Sequence, residues 1–267
     1  MDAKSIEITT HVGCSVSCEY CPQDVFLRAY RRKWPSAETT LSYDSFAAIC
    51  GKLPGPVDIR FAGFCEPWMN RRCTDMVLCA HDAGHKVVVY TTLVGMTQGD
   101  IVRMEHIPFK KFDVHVPGSD GREEIRVDGL YLGVLDRLLK SRIRCSFHCN
   151  GRPSPALPLA RVPVNASPIS TRAGNLNAVR NPDKGERVRL KGRLECRRIY
   201  QNVLLPNGAV ALCCMDCGLD HVLGNLLTES YESIASSAEL QKVKAGLCDD
   251  RQEVLCRYCD LFAKQYS

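Results

Sequence analysis

The chain has 267 residues, 45% hydrophobic and 24% charged, a composition that folds and excludes a protein dominated by disorder. Thirty-five Lys and Arg against 30 Asp and Glu leave +5 at neutral pH, a mild excess that gives no reason to expect nucleic acid as a partner. No apolar run reaches the roughly 18 residues of a membrane span, and the opening MDAKSIEITTHVGC lacks the apolar core of a signal peptide. A soluble, cytoplasmic protein with one sizeable α/β domain and a small appendage is expected, and it is expected to be a monomer.

Residues 5–165 alternate strand and helix patterns. SIEITT (5–10) reads as a strand running towards Cys14, YDSFAAICGKL (43–53) as a helix and DIRFAG (58–63) as the next strand. A helix over 71–83 leads to the strand KVVVYTT (86–92). KKFDVHVPG (110–118), the amphipathic DGLYLGVLDRLLKS (128–141), IRCSFHC (143–149) and ARVPVNA (160–166) continue the series. Repeated βα units imply a parallel sheet with its functional loops at the C-terminal strand ends. Six strands are too few for a closed eight-stranded barrel, and the pattern admits a partial barrel or an open sheet.

The stretch from Pro168 to Lys191 is polar and turn-rich, a linker or a long functional loop. IYQNVLLPNGAVALCC (199–214) reads as a hairpin about Asn207-Gly208, TESYESIASSAELQKVKAGL (228–247) as a helix, and CRYCDLF closes the pattern. The expected organisation is a barrel over 1–167, a linker over 168–194 and a small domain over 195–267. That last unit has little core of its own, so an internal staple is expected. Arg28, Arg31, Arg32 and Lys33 read as a solvated basic face, where an acidic flavodoxin or ferredoxin reductant could dock.

Sixteen cysteines exceed what packing requires, and no secretory signal explains them as disulfides. Cys50, Cys73 and Cys79 lie in helical stretches and read as packing residues. Others gather near the two ends. Cys14, Cys18 and Cys21 are spaced Cys-x3-Cys-x2-Cys in the loop after the first strand. Three thiolates hold three irons of a [4Fe–4S] cube and leave the fourth open. Zinc with His11 as fourth ligand also fits the spacing. Cys196, Cys213, Cys214 and the pair Cys256-x2-Cys259 supply a second set, which suits a cluster or zinc equally well.

The segment HVGCSVSCEYCPQ, with Tyr20 before its last cysteine, resembles the cluster motif of the radical S-adenosylmethionine enzymes. The resemblance implies a partial (βα)6 TIM-like barrel over the first 165 residues and S-adenosylmethionine chelated to the open iron. There reduction yields a 5′-deoxyadenosyl radical. AGFCEP (62–67) resembles that family's glycine–glutamate motif, with Gly63 retained, Phe64-Cys65 in place of the usual glycines, and Glu66 positioned for the methionine amino group. Thr91 and Thr92 fall where relatives place polar residues near the cofactor. LPNGAVALCCMD followed by VLGNL resembles the shortened SPASM, or twitch, domain. That implies Cys196, Cys213, Cys256 and Cys259 as ligands of one auxiliary [4Fe–4S] cluster, two clusters in all.

Cys217 and Cys248 remain unassigned on that pattern. Cys248, after a predicted helix end, is read as a catalytic hydrogen donor, ahead of Cys217. The compact barrel and single-cluster tail resemble enzymes that modify aminoglycosides and aminocyclitols. The extra thiol points to an epimerase of the neomycin C epimerase type, inverting a ring carbon. A dehydrogenase oxidising an aminocyclitol to a ketone through the auxiliary cluster is the alternative. A peptide-modifying maturase is disfavoured because the cluster motif begins by residue 14. For a cationic substrate, Asp113 or Asp120 would meet an ammonium, and His115 or His148 would bond a hydroxyl or move a proton.

Overall fold

The computed structural model describes residues 5–55, 57–159, 162–166, 170–176 and 188–263. Nine strands form one sheet: β1 (Ser5–Ile8), β2 (Asp58–Phe61), β3 (Lys86–Thr91), β4 (Lys111–His115), β5 (Ser146–Cys149), β6 (Val164–Ala166), β7 (Gln201–Leu204), β8 (Ala209–Ala211) and β9 (Val222–Asn225). Their order is β6-β5-β4-β3-β2-β1-β7-β8-β9, with β1 to β6 parallel in sequence. The two-residue period of a strand divides this sheet into two faces. Ile6, Ile8, Ile59, Phe61, Val87, Val89, Phe112 and Val114 pack into the core. The helices α2 (Tyr43–Cys50), α3 (Cys73–Asp82), α4 (Gln98–Met104) and α5 (Gly129–Leu139) contribute Phe46, Met76, Ile101 and Leu135 to the same core. Glu7, Arg60, Tyr90, Asp113, His115 and His148 occupy the alternate positions on the inner face.

Two helices go beyond the sequence expectation. Residues Gln23–Lys33 form α1, burying Phe26, Ala29 and Tyr30 at helical spacing while Arg28, Arg31, Arg32 and Lys33 stay exposed. In α4 a capping box closes the first turn: the Thr97 hydroxyl accepts from Asp100 N and the Asp100 carboxylate accepts from Thr97 N. The expected helix over 228–247 is two, α6 (Tyr231–Ala235) and α7 (Ala238–Cys248), the second started by the Ser237 hydroxyl accepting from Leu240 N. The strand expected from residue 160 is observed as Val164–Ala166, with Ala160 and Arg161 outside the described residues. Much of the expected linker, 177–187, also lies outside them, as do 167–169 around the expected boundary.

The C-terminal hairpin does not form a sheet of its own. β7 pairs parallel with β1, Ser5 opposite Gln201 through Ile8 opposite Leu204, and β8 and β9 follow antiparallel. No helix among the described residues is long and apolar enough to cross a membrane.

Candidate active site

The inner face of the sheet opens into two adjoining cavities. The first, about 500 Å³, is lined by Cys14, Cys18, Cys21, Glu66, Thr91 and Thr92 among others. The second, about 700 Å³, is lined by Lys111, Asp113, Ser146 and Asn150 among others. Tyr20, Tyr90, His115, His148, Arg172 and Arg198 border both.

The three-cysteine loop between β1 and α1 is pinned to the loop after β4: Glu19 N donates to Arg122 O at 2.8 Å and Glu124 N to Ser17 O at 3.3 Å. Within it Cys21 N donates to Cys18 O at 3.0 Å. Burial pushes the Cys18 thiol up to about 12, and nearby Cys21 and Cys14 act in the same direction. His11 turns to the Thr40 hydroxyl at 2.9 Å and lines neither cavity. The loop after β2 comes up beside it. Gly63 has φ +70, and a Cβ there would lie 2.4 Å from Thr9 Oγ1 and 2.9 Å from Thr9 N. Only glycine allows this approach to β1. Glu66 is buried and accepts from the Thr91 hydroxyl at 2.7 Å and from Thr92 N and Oγ1 at 2.6 and 2.7 Å. Burial raises its pKa, and these donors hold it down. The sequence-assigned Glu66, Thr91, Thr92 and Gly63 thus stand together beside the three cysteines.

Tyr20 donates to Glu123 Oε1 at 2.6 Å, and His115 Nε2 lies 3.1 Å from the Tyr20 oxygen and 3.3 Å from Glu123. Burial, followed by His148 at 4.5 Å between ring centroids, lowers the His115 pKa to about 4 and keeps it neutral at pH 7. Glu123 escaped sequence reading because it lies in a loop with no motif. Asp113 accepts from Ser146 Oγ at 2.7 Å and Lys111 Nζ at 2.8 Å, and His148 Nδ1 lies 3.3 Å away. Despite burial, His148, Lys111 and Ser146 hold its carboxyl well below the usual range. Asp120 is exposed, pairs with Arg122 at 3.2 Å and lines neither cavity. Lys111 already pairs with Asp113, and Asp120 lines neither cavity, so their positions give the expected ammonium contact no support.

Glu7 and Arg60 are opposite one another in the β1–β2 register and line the first cavity. Their sequence signal was a charge interrupting each of the apolar runs SIEI and DIRF. Cys214 and Cys217 line the same cavity. Cys248 ends α7, is exposed and lines neither cavity, so its position gives the hydrogen-donor role no support.

In the C-terminal set Cys213, Cys256 and Cys259 are buried, and Cys196 is partly so. Burial raises the Cys256 thiol to about 12, followed by neighbouring Cys196 and Cys259. Cys256 is likewise near Cys213. Cys256 thus lies near each of the other three thiols. His221 links the two halves of this region, its Nδ1 bonded to Glu239 at 2.7 Å and its Nε2 accepting from Leu255 N at 3.1 Å. Asp216 accepts from the amides of Asp220 and His221 at 2.7 and 2.9 Å and shapes the loop after Cys213. Arg257, fully buried between Cys256 and Cys259, donates to the carbonyls of Gly246, Leu247, Leu190 and Gly192. Thiol-only donors suit an iron–sulfur cluster at either set. Among the described residues, no three His, Cys, Asp or Glu side chains close round a single metal ion.

Residues 196–260 match the SPASM family model, an iron–sulfur cluster-binding domain, and that span contains all four C-terminal thiols. No curated protein sequence matches the chain. Solved structures share its fold. BtrN in complex with AdoMet and 2-DOIA is 17% identical, with 97% of this chain and 94% of that one covered and a TM-score of 0.67. SuiB of Streptococcus suis bound to precursor peptide SuiA is 12% identical over 97% and 70%, with a TM-score of 0.63. Native anSMEcpe with bound AdoMet is 11% identical over 89% and 82%, with a TM-score of 0.57. The chain thus has the fold of these proteins, an α/β sheet parallel from β1 to β6, with a C-terminal region that matches the SPASM model.

Proposed function

We propose that this chain is a radical S-adenosylmethionine enzyme that takes a hydrogen atom from a carbon of a small polar substrate and oxidises it. The observation that carries this reading is the pair of adjoining cavities: one gathers Cys14, Cys18 and Cys21 with Glu66, the other is walled by proton-handling groups. Cys14, Cys18 and Cys21 would hold the first [4Fe–4S] cluster, and Cys196, Cys213, Cys256 and Cys259 the auxiliary one. When bound, these groups and S-adenosylmethionine supply the radical that takes the hydrogen atom and an acceptor for one electron.

Glu66 offers a carboxylate to the methionine ammonium, held in place by Thr91 and Thr92. In the second cavity His148 takes the hydroxyl proton of a carbinol. Its Nδ1 faces Asp113 at 3.3 Å, which leaves Nε2 as the acceptor. A carbinol that gives up one hydrogen atom, one proton and one electron becomes a ketone.

Oxidation is favoured over epimerisation because, among the described residues, no cysteine lines the second cavity. The epimerase remains a second reading because Cys214 and Cys217 line the first cavity. Of the candidate thiols these two, and not Cys248, have the access that a hydrogen donor needs.

Anaerobic reconstitution should give about eight irons per chain, two clusters of four. Cys14→Ala should lose about half the iron and all S-adenosylmethionine cleavage, while Cys256→Ala should lose the other half. Product formed in deuterated water decides between the readings. A ketone two mass units lighter than substrate supports oxidation, and an isomer carrying one solvent deuterium replaces it with epimerisation.

A further inference from the structure

The charge lining the second cavity is one-sided. Among the described residues, Lys111, Arg172 and Arg198 face one carboxylate, Asp113, which is already engaged by Lys111, Ser146 and His148. His115 is neutral. The two arginines also border the first cavity, where the Glu7 carboxylate feels both of them together with Arg60. Three guanidinium groups thus share the Glu7 carboxylate, and Glu66, which also lines the first cavity, is engaged by Thr91 and Thr92. Among the described residues, Arg198 bonds the Cys214 sulfur at 3.6 Å and lies near Cys213 and Cys196, and Arg172 lies near the thiols of Cys214, Cys217 and Cys21.

The backbone at Arg172 is strained in a way that fixes its position. Arg172, Ala173 and Gly174 have φ +52, +54 and +79, and the first two are residues for which a left-handed conformation carries a cost. Arg172 N donates to Ser170 Oγ at 3.0 Å, and Asn175 Nδ2 donates to Arg172 O at 2.8 Å. Asp260, next to Cys259, accepts from Ser170 Oγ at 3.0 Å and Thr171 N at 2.8 Å. A turn held in an unfavourable conformation by Ser170, Thr171, Asn175 and Asp260, on two chain segments, places one guanidinium at the meeting point of both cavities.

We infer that Arg172 and Arg198 form an anion subsite in the substrate chamber, so that the substrate carries a carboxylate or phosphate group rather than a set of ammonium groups. This rests on the second cavity being the substrate chamber of the proposed enzyme. A planar guanidinium pair suits either anion through two parallel N–H···O bonds.

The test is calorimetric binding to the reconstituted protein with S-adenosylmethionine present. The probes are glucuronate for a carboxylate, glucose 6-phosphate for a phosphate, glucose as the neutral form and 2-deoxystreptamine as the diamine. At least one anionic probe should bind tenfold or more tightly than glucose and than the diamine. Arg172→Gln and Arg198→Gln should each remove about tenfold or more of that affinity, the loss of one charge-assisted contact. The exposed control Arg126→Gln should remove none. Arg172→Lys separates the anions: retained affinity indicates phosphate, met by a point charge, and lost affinity indicates a carboxylate held by the planar fork.

The inference is overturned if no probe shows an anion preference or if the diamine binds as well as the anions. It is also overturned if the glutamine variants alter the auxiliary-cluster spectrum and leave anion affinity unchanged, because the arginines then serve the cluster. S-adenosylmethionine cleavage and iron content, measured on the same samples, read the proposed enzyme class separately. Loss of those with an intact anion preference would sink the function and not the subsite.

Discussion

Single side chains on the inner face act through the company they keep. Glu66 is a carboxylate surrounded by donors from Thr91 and Thr92, so Glu66→Gln should keep the local shape while removing the charge an ammonium needs. Its expected effect is S-adenosylmethionine binding weaker by about tenfold or more, with unchanged iron content, read by equilibrium dialysis. His115 sets an acid limit on stability. Its folded pKa, about 4, lies below the ordinary 6.5, so on acidification the unfolded chain binds the proton first. Stability should therefore rise with pH between about 4 and 6.5, and His115→Gln should flatten the Tm profile across that window. Glu66, Thr91 and Thr92 were legible from the sequence because a motif and a strand end mark them. Glu7, Arg60 and Glu123 were not, since a lone charge in a short strand or loop acquires meaning only when neighbouring strands set its register.

At the scale of elements, strands β1 to β8 and the helices α2, α3 and α5 were readable because hydrophobic period and length agree in each. α1 was not, because its four cations dominate the composition of the segment and its apolar stripe is only Phe26, Ala29 and Tyr30. Polar contacts also tie the C-terminal region together. Arg257 joins the last turn of α7 to residues 190–192 through carbonyls that a helix end leaves without partners. Arg257→Met should destabilise the protein by about 3 kcal/mol or more, visible as an earlier urea midpoint, because buried acceptors lose a charged donor. Gly63→Ala should cost about 1–3 kcal/mol through its positive φ alone, with the contact against Thr9 added to that. The measurement is the same midpoint, and an unshifted value would remove the argument for a close approach.

For the whole molecule, the boundary suggested by composition is not a boundary in the sheet. β7 pairs along the full length of β1, so the region holding the C-terminal thiols is hydrogen-bonded to the strand that leads into the three-cysteine loop. A chain ending at residue 194 should expose the edge of β1 and self-associate, read by size-exclusion chromatography, whereas a separable domain would leave a monomer. The sequence could not show this, because the hairpin pattern of 199–214 is the same whether it pairs with itself alone or with a distant strand.

The β1–β7 ladder also acts as a ruler. Neighbouring strands stand about 4.8 Å apart, and only β7 separates β1 from β8. β8 runs antiparallel to β7, so Cys213 leaves it at the end of the sheet where β1 begins, while the cysteine loop leaves β1 at the other end. In the proposed oxidation, the path of an electron between the two thiol sets is therefore set by main-chain pairing, across β7 and along β1, and substrates can vary in the chamber without changing it.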